Sequence, residues 1–524
     1  MTRRQTMRKT RRDFLKTSGA MAAAASLGGG IGMMAGRQAR AASETGGAAR
    51  RPNVVIIYTD DQAKSQFGCY GGTPTPNIDR VAAEGVRFNR FYVSSALCSP
   101  SRFGMQTGRY ASRAPGVLRL FTAGGTACPV QQIGDEHNRP AEALALPAVL
   151  RSAGYATGFV GKWHLGFMGE RAKPPKNDDL PIDHPEVVQC LRHNFDLTVK
   201  TVQAAGYEWA DAVYHDNVQP ENFPKSARCH NPEYIAHRAI QFMGRNKEKP
   251  FLLSVNPTLV HYPPVMDSLK ADRRITSVGL VDDIPAGIMP SRASVIARAQ
   301  GDEKMARVIW LDDFVGALLK NIGDLGLATN TLVFVIADNG TGGKWTCYEG
   351  GTQTGCLARW TGRIPAGKVS DDLIQNVDIA PTVFDLCGVT PAKAKTGGEA
   401  MDGISFADVL MKGAKGKRTS AYLELGYQRA VLDDKGMKYL AVRYPEDIQK
   451  QAAAGKKFDV SGKAIKEGKG ATPDELFDLA SDPAEKKNLA GDPAQAETLA
   501  RLKALMAEYS RSLPHRFGEF AQGG

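Results

Sequence analysis

The 524-residue sequence has few cysteines, no long apolar run beyond its first forty residues, and little net charge outside them. Eight cysteines are too few to hold a chain of this length together as a disulfide scaffold. The absence of a long apolar stretch predicts no stable membrane anchor. The formal net charge is +12, but eight of these excess positive charges lie in residues 1–41. The remainder is nearly neutral, which argues against nucleic acid as a partner.

The first 41 residues have the pattern of an export leader. Arg11-Arg12 is followed by Asp-Phe-Leu-Lys, then by a weakly apolar stretch over 20–35, and then by Ala-Arg-Ala at 39–41. The segment resembles a twin-arginine signal, which is an address read by a receptor and not an anchor. The resemblance implies a signal peptide over 1–41, the twin-arginine translocase as a partner, and an exported protein that is periplasmic or secreted.

Residues 50–411 alternate short apolar runs with amphipathic stretches, which is typical of an α/β domain. Four of the apolar runs are predicted to be buried strands, and polar residues follow each of them: 53–58, 156–160, 251–255 and 331–336. Ligands of open α/β sheets collect outside the carboxyl ends of the strands. We therefore expect the motifs after these four strands to form one site.

Two segments depart from this pattern. Residues 166–231 are polar and weakly periodic, and we interpret them as an insertion over the site that could determine specificity. Beyond a Gly/Lys-rich linker, three short alternating segments and an amphipathic helix over 493–513 predict a smaller C-terminal α+β subdomain, residues 419–524, with an antiparallel sheet.

Oxygen ligands follow the first and the last of the four strands. Asp60-Asp61 ends one and Asp338-Asn339 the other. Three carboxylates and an amide suit Ca²⁺ best, with Mg²⁺ as the less favoured alternative. Either pair alone would indicate an Asx turn or a helix cap. Both pairs at the ends of predicted parallel strands favour a metal site.

The most informative string is Cys98-Ser99-Pro100-Ser101-Arg102, which continues over 103–109 as Phe-Gly-Met-Gln-Thr-Gly-Arg. It resembles the signature of the formylglycine-dependent sulfatases of the alkaline phosphatase superfamily. The resemblance implies that a maturation enzyme oxidises Cys98 to formylglycine (3-oxoalanine), an aldehyde that is hydrated to a gem-diol. One hydroxyl can attack sulfur and the other can expel sulfate. A serine sulfate ester lacks this second hydroxyl and cannot release sulfate in the same way. A lone cysteine before a turn would instead indicate a buried structural thiol.

Three further motifs resemble the same family: Gly-Lys-Trp-His-Leu-Gly over 161–166, His-Tyr-Pro over 261–263, and Lys344 before Tyr-Glu-Gly-Gly. The resemblance implies that the leaving group takes its proton from His261 and that the diol gives one to His164. It implies that three cationic side chains bind the sulfate group: Arg102, Lys162 and Lys344. It also implies that calcium is held by five residues: Asp60, Asp61, Cys98, Asp338 and Asn339.

The fold that the resemblance implies is alkaline phosphatase-like, a large, mixed and mostly parallel sheet between helices, followed by the smaller α+β domain. We expect a sulfuric ester hydrolase that acts on a sulfated small molecule or carbohydrate. One alternative is a phosphonate or phosphate ester hydrolase of the same superfamily. Another is a non-catalytic binder of sulfated glycans, which would follow if Cys98 is never oxidised. His215-Asp216 could contact substrate, but we interpret it as a solvated loop pair.

Overall fold

The computed structural model describes residues 50–114, 145–391, 401–443, 450, 474–514 and 517–521. The predicted signal peptide over 1–41 lies outside these residues. None of the helices in the described ranges combines the length and the apolar composition that a membrane span requires.

An eight-stranded sheet forms the centre of the fold. Its strands are β1 Asn53–Thr59, β2 Val86–Tyr92, β3 Ala156–Lys162, β4 Trp209–Tyr214, β5 Phe251–Asn256, β8 Thr331–Ala337, β9 Cys356–Arg359 and β10 Lys368–Gln375, with β6 Ile275–Thr276 and β7 Gly279–Leu280 forming a separate pair. The order across the sheet is β10-β2-β9-β8-β1-β5-β3-β4. Only β9 runs antiparallel to its neighbours among these eight strands. The sheet is therefore mixed and mostly parallel, which confirms the predicted fold class.

Helices cover both faces of this sheet. Along β1, Val54 and Ile56 enter one apolar cluster while Val55 and Ile57 enter another, so both faces of the strand are buried. The helices are α1 Pro76–Ala83, α2 Cys98–Thr107, α3 Ala145–Ser152, α4 Pro185–Ala204, α5 Pro232–Arg245, α6 Val265–Lys270, α7 Arg292–Ala299, α8 Glu303–Asp324, α9 Glu349–Thr352, α10 Ile379–Leu386, α11 Ala407–Lys412 and α12 Ala496–Ser512. All ten residues of α2 are buried, so its first residue is held inside the molecule.

A four-stranded antiparallel sheet follows, in the order β11 Ser420–Leu425, β12 Gln428–Asp433, β13 Met437–Val442 and β14 Glu475–Asp478. The predicted C-terminal antiparallel sheet is therefore confirmed. Helix α12 packs on it through Leu502 and Met506, which join Tyr439 in one apolar cluster. A 3₁₀ turn at Pro493–Gln495 precedes α12, and the Asp492 side chain caps that turn by accepting from the Ala494 amide at 2.9 Å.

A buried ion cluster joins the antiparallel sheet to the rest of the fold. Nζ of Lys438, on β13, lies 2.9 Å from a carboxylate oxygen of Glu349 and 2.9 Å from one of Glu485. The Glu349 amide donates to Glu485 at 2.6 Å, and Tyr92 Oη donates to Glu349 at 2.8 Å. A buried charge is costly unless it is paired. The sheet and the segment that carries Glu349 therefore depend on each other.

The segment 166–231 contains more regular structure than the sequence suggested. It holds the 20-residue helix α4 and the strand β4, which extends the main sheet beside β3. Polar residues interrupt the apolar positions of α4, so the periodicity was weak. The domain boundaries 50–411 and 419–524 stay predictions, although the described residues from 50 onward form one compact unit.

Candidate active site

The carboxyl ends of β1 and β8 bring together the two predicted pairs of oxygen ligands. The amide of Asp61 donates to Oδ1 of Asp338 at 2.9 Å. Nδ2 of Asn339 donates to Oδ1 of Asp61 at 2.7 Å. Asp61 has a φ of 58°, in the left-handed region that residues other than glycine rarely adopt. Such backbone strain is concentrated at functional sites.

Cys98 meets this cluster from the start of α2. Its Sγ lies 3.3 Å from Oδ1 of Asp60 and 3.6 Å from Oδ1 of Asp61. Potential ligand atoms of Asp60, Asp61, Cys98 and Asp338 all lie within 4.8 Å of one another. Because Cys98 is the first residue of the helix, the helix dipole also favours negative charge at this point.

The donor set fits a hard divalent cation. Three carboxylates face one another, which is unfavourable without positive charge between them. Oδ1 of Asn339 is buried and has no hydrogen-bond partner, although its Nδ2 is paired. A buried amide oxygen of this kind is rare, because an unsatisfied acceptor is costly. These oxygens are the ligands that Ca²⁺ and Mg²⁺ prefer.

Three cationic side chains line the same cluster, and each forms a salt bridge with one of its carboxylates. Nζ of Lys162 lies 2.7 Å from Oδ2 of Asp60. Nη2 of Arg102 lies 2.8 Å from Oδ2 of Asp338, and Nζ of Lys344 lies 2.7 Å from Oδ2 of Asp61. The ends of three strands, one helix and the loop after β8 thus bring four carboxylate and amide side chains and three cations to one buried point.

The pKa values of Asp60 and Asp338, at the centre of the cluster, are shifted in opposite directions. Burial acts to raise the pKa of Asp60, but the positive charges around it, Lys162 above all, hold that pKa well below its usual range. Burial and the adjacent Asp60 carboxylate raise the pKa of Asp338 above its usual range. Burial and the Asp338 carboxylate also raise the pKa of the Cys98 thiol well above its usual value. A free thiol here is therefore a poor nucleophile, since the thiolate is the reactive form.

Of the two predicted histidines, His261 contacts the cluster directly, whereas His164 contacts a residue of the segment 166–231. Nε2 of His261 lies 3.3 Å from Oδ2 of Asp61 and 3.2 Å from Nζ of Lys344. His164, two residues beyond Lys162, has Nε2 at 3.2 Å from Oδ1 of Asp216. Nδ1 of each ring is buried without a hydrogen-bond partner. Burial lowers the pKa of His164 to about 3 and also lowers the pKa of His261, so both rings favour the neutral form.

Four residues near the site were missed by sequence reasoning or misjudged. Oδ1 of Asn256, at the end of β5, accepts from Nη1 of Arg102 at 3.0 Å. Oδ1 of Asn217 accepts from Nζ of Lys162. The expectation of a solvated pair at His215-Asp216 was wrong: His215 is buried and stacked on Phe223 with ring centroids 4.4 Å apart. Asn256 follows the same strand-end rule as the predicted residues, but a single asparagine there is also an ordinary turn residue.

Two of the cavities that border the site are lined by different residues. One, of about 780 Å³, is lined by Ser99 and His164 together with Phe167, Arg171 and Asp216. The other, of about 590 Å³, is lined by Asp61, His261, Tyr262, Lys304 and Arg307, among others. The two histidines therefore face different spaces, which suits different roles for them.

Comparison with known proteins gives the class that this fold and site define. The family model described as sulfatase matches residues 52–389, and that of the C-terminal region of N-sulphoglucosamine sulphohydrolase matches 339–512. The chain belongs to the sulfatase family, and it is a sulfuric ester hydrolase. The model of the twin-arginine translocation signal matches residues 10–28, which indicates export and confirms the expected localisation.

Individual relatives agree with this assignment. Human arylsulfatase A is 30% identical over 83% of this chain and 83% of its own length. Human N-acetylgalactosamine-6-sulfatase is 31% identical over 70% of this chain and 67% of its own.

Solved structures share the fold. A Bacteroides thetaiotaomicron protein from a locus for glycosaminoglycan metabolism superposes with a TM-score of 0.62 at 20% identity, covering 88% of this chain and 99% of that one. A protein solved with its substrate D-glucosamine-2-N,6-O-disulfate has a TM-score of 0.55 at 19% identity, covering 88% of this chain and 98% of that one.

Proposed function

We propose that this sulfatase hydrolyses a sulfate monoester of a carbohydrate by means of a formylglycine made from Cys98 and a bound calcium ion. The observation that carries the proposal is the position of Cys98. Its side chain stands at the first turn of a wholly buried helix, among three carboxylates and near three cations. The carbohydrate class rests on the names of relatives, which include N-acetylgalactosamine-6-sulfatase from several mammals.

The metal would be held by Asp60, Asp61, Asp338, Asn339 and the side chain at position 98. When bound, calcium supplies positive charge for the sulfate oxygens and for the nucleophile. The unpartnered Oδ1 of Asn339 supports this donor set, because a cation would satisfy it. Mg²⁺ is the less favoured ion, since it demands stricter octahedral geometry and keeps more of its water.

Formylglycine at position 98 supplies a hydrated aldehyde as nucleophile, and a formylglycine-generating maturation enzyme is therefore a partner. The chain's own cations do the binding. Arg102, Lys162 and Lys344 present guanidinium and ammonium groups to the space around position 98, where they can hold sulfate oxygens and stabilise the negative charge that develops. The substrate's anion would compete with the carboxylates that these cations now contact.

The two histidines divide the proton transfers. His261 faces the second cavity, and we assign it to protonate the leaving oxygen. Its pKa is lowered by burial, but the negative charge of a bound sulfate ester favours the protonated ring. His164 stays neutral because burial lowers its pKa, and it can take a proton from the hydroxyl at position 98 so that sulfate is released.

The mass of the peptide that carries residue 98 tests the proposal directly. Conversion of the thiol to the aldehyde should lower the peptide mass by about 18 Da, because oxygen replaces sulfur and two hydrogens are lost. The peptide with Cys356, a buried and free cysteine, serves as the control and should keep its mass. An intact thiol in protein from a host with a maturation system would leave only the non-catalytic glycan binder.

Metal analysis tests the ion and separates the phosphatase alternative. We expect about one calcium per chain, as for one all-oxygen site, and loss of activity on chelation that added Ca²⁺ restores. A matched control is Asp312→Asn, which changes an acid that caps α1 from outside the cluster and should keep its calcium. Bound zinc, with neither calcium nor magnesium, would contradict the donor set and favour a phosphatase-like site.

A further inference from the structure

We propose that Asp216 is a positioning residue that holds the Nε2 proton of His164 and thereby leaves Nδ1 free to accept a proton from the hydroxyl at position 98. The inference rests on the proposed function, because it concerns the step assigned there to His164. It also gives a specific role to a residue of the segment 166–231, which the sequence predicted only as an insertion over the site.

The position of His164 is fixed by contacts of both its backbone and its ring. Its backbone amide donates to the carbonyl of His215 at 3.2 Å, so the chain after β3 runs beside the chain after β4. Its φ of 55° is in the left-handed region, which turns the side chain away from the strand direction. With Nε2 at 3.2 Å from Oδ1 of Asp216, one ring nitrogen faces a carboxylate. The other, Nδ1, is buried without a partner.

Asp216 is itself fixed by two groups besides His164. Its Oδ1 accepts from the amide of Asn217 at 2.7 Å. Its Oδ2 lies 3.3 Å from Nη1 of Arg171, whose guanidinium also donates to Asn222 at 3.0 Å and lies over the Phe167 ring. A carboxylate held in this way can orient an imidazole, as the outer partners of metal-bound and catalytic histidines do.

The arrangement decides which nitrogen can act as the base. A neutral imidazole has one N–H and one lone pair, and the hydrogen bond of one nitrogen sets the state of the other. A proton on Nε2 faces the Asp216 carboxylate, so the lone pair is on Nδ1. In the release step Nδ1 takes the hydroxyl proton, the oxygen's electron pair forms the carbonyl bond, and the carbon–oxygen bond to sulfate breaks, with its electron pair leaving on sulfate.

Transient kinetics of Asp216→Asn with nitrophenyl sulfate test this role. Sulfate release follows loss of the alcohol, so impairing release should produce a burst of nitrophenol and lower kcat and KM together. We expect kcat to fall about 10–100-fold, as for other orienting partners, with kcat/KM nearly unchanged. Asp178→Asn is the matched control, because Asp178 lines the same cavity but pairs with Arg228, and it should show neither effect.

His164→Ala separates failure of the inference from failure of the proposed function. A burst in His164→Ala and none in Asp216→Asn overturns the inference alone. No burst in His164→Ala overturns the role of His164 and the inference with it. Ring ¹⁵N NMR of the unmutated protein, with the His164 signal assigned from His164→Gln, needs no folded Asp216 variant. An Nε2–H tautomer supports the inference, and an Nδ1–H tautomer overturns it.

Discussion

Cys98→Ala is expected to abolish sulfate-ester hydrolysis, with a loss of at least about 10⁴-fold, as for other nucleophile deletions. The change is small, and Cys98 lies in a helix whose other residues already fill the space around it, so the fold should survive. Among the described residues, Cys98 is the one cysteine that joins the carboxylate cluster, so no other thiol there can be converted in its place. Turnover of a sugar sulfate and thermal unfolding measure the two effects.

Cys356→Ala is the matched control, since it removes another buried, free thiol, which lies on β9 of the main sheet. It should keep its activity and unfold at a similar or slightly lower temperature. Cys98→Ser should be inactive unless the maturation system of the host accepts serine. Wild-type turnover in Cys98→Ala would end the assignment of residue 98 as the nucleophile.

His261→Ala should have a large effect that depends on the leaving group. A sugar alkoxide leaves poorly without a proton, whereas a nitrophenoxide hardly needs one. We expect hydrolysis of a sugar sulfate to fall about 10²–10⁴-fold, the usual contribution of a general acid, and hydrolysis of nitrophenyl sulfate to fall far less. The ratio of kcat/KM for the two substrates is the quantity to measure, because it cancels any change in folded enzyme.

Two variants serve as controls for this ratio. His237→Ala removes a histidine that lies beside Asp283, away from the carboxylate cluster, and it should leave both rates intact. His164→Ala should leave this ratio unchanged, because release of sulfate does not depend on which alcohol has left. Equal slowing of the two substrates by His261→Ala would show that His261 is not the proton donor.

The parts of the site that the sequence could predict are those carried by short strings or by strand ends. Buried apolar runs identified β1, β3, β5 and β8, and the polar residues after them converge because parallel strands end at one edge of the sheet. The string that contains Cys98 marked it as a site residue without any knowledge of the fold, and the structure places it at the start of α2. In these cases the relevant contacts follow from the direction of one strand or helix.

The residues that escaped prediction depend on which loops become neighbours. Asp216 and Asn217 reach His164 and Lys162 only because β4 pairs with β3, and β4 was hidden in a segment that looked like a polar insertion. A carboxylate after an unrecognised strand has no pattern that distinguishes it from a solvated loop residue. Backbone pairing across the sheet, rather than any local string, determines its role.

The ion cluster of Lys438, Glu349 and Glu485 has a consequence for how the enzyme becomes active during synthesis. Glu349 is five residues beyond Lys344, and its carboxylate and amide pair with Lys438 and Glu485, which helps to fix the segment between them. A ribosome-bound chain that ends before β13 would contain every predicted sulfate ligand and yet lack a fixed position for one of them. Activity should therefore arise late in translation, after the last strands have emerged. A chain truncated before β13 should be inactive although it keeps every predicted site residue.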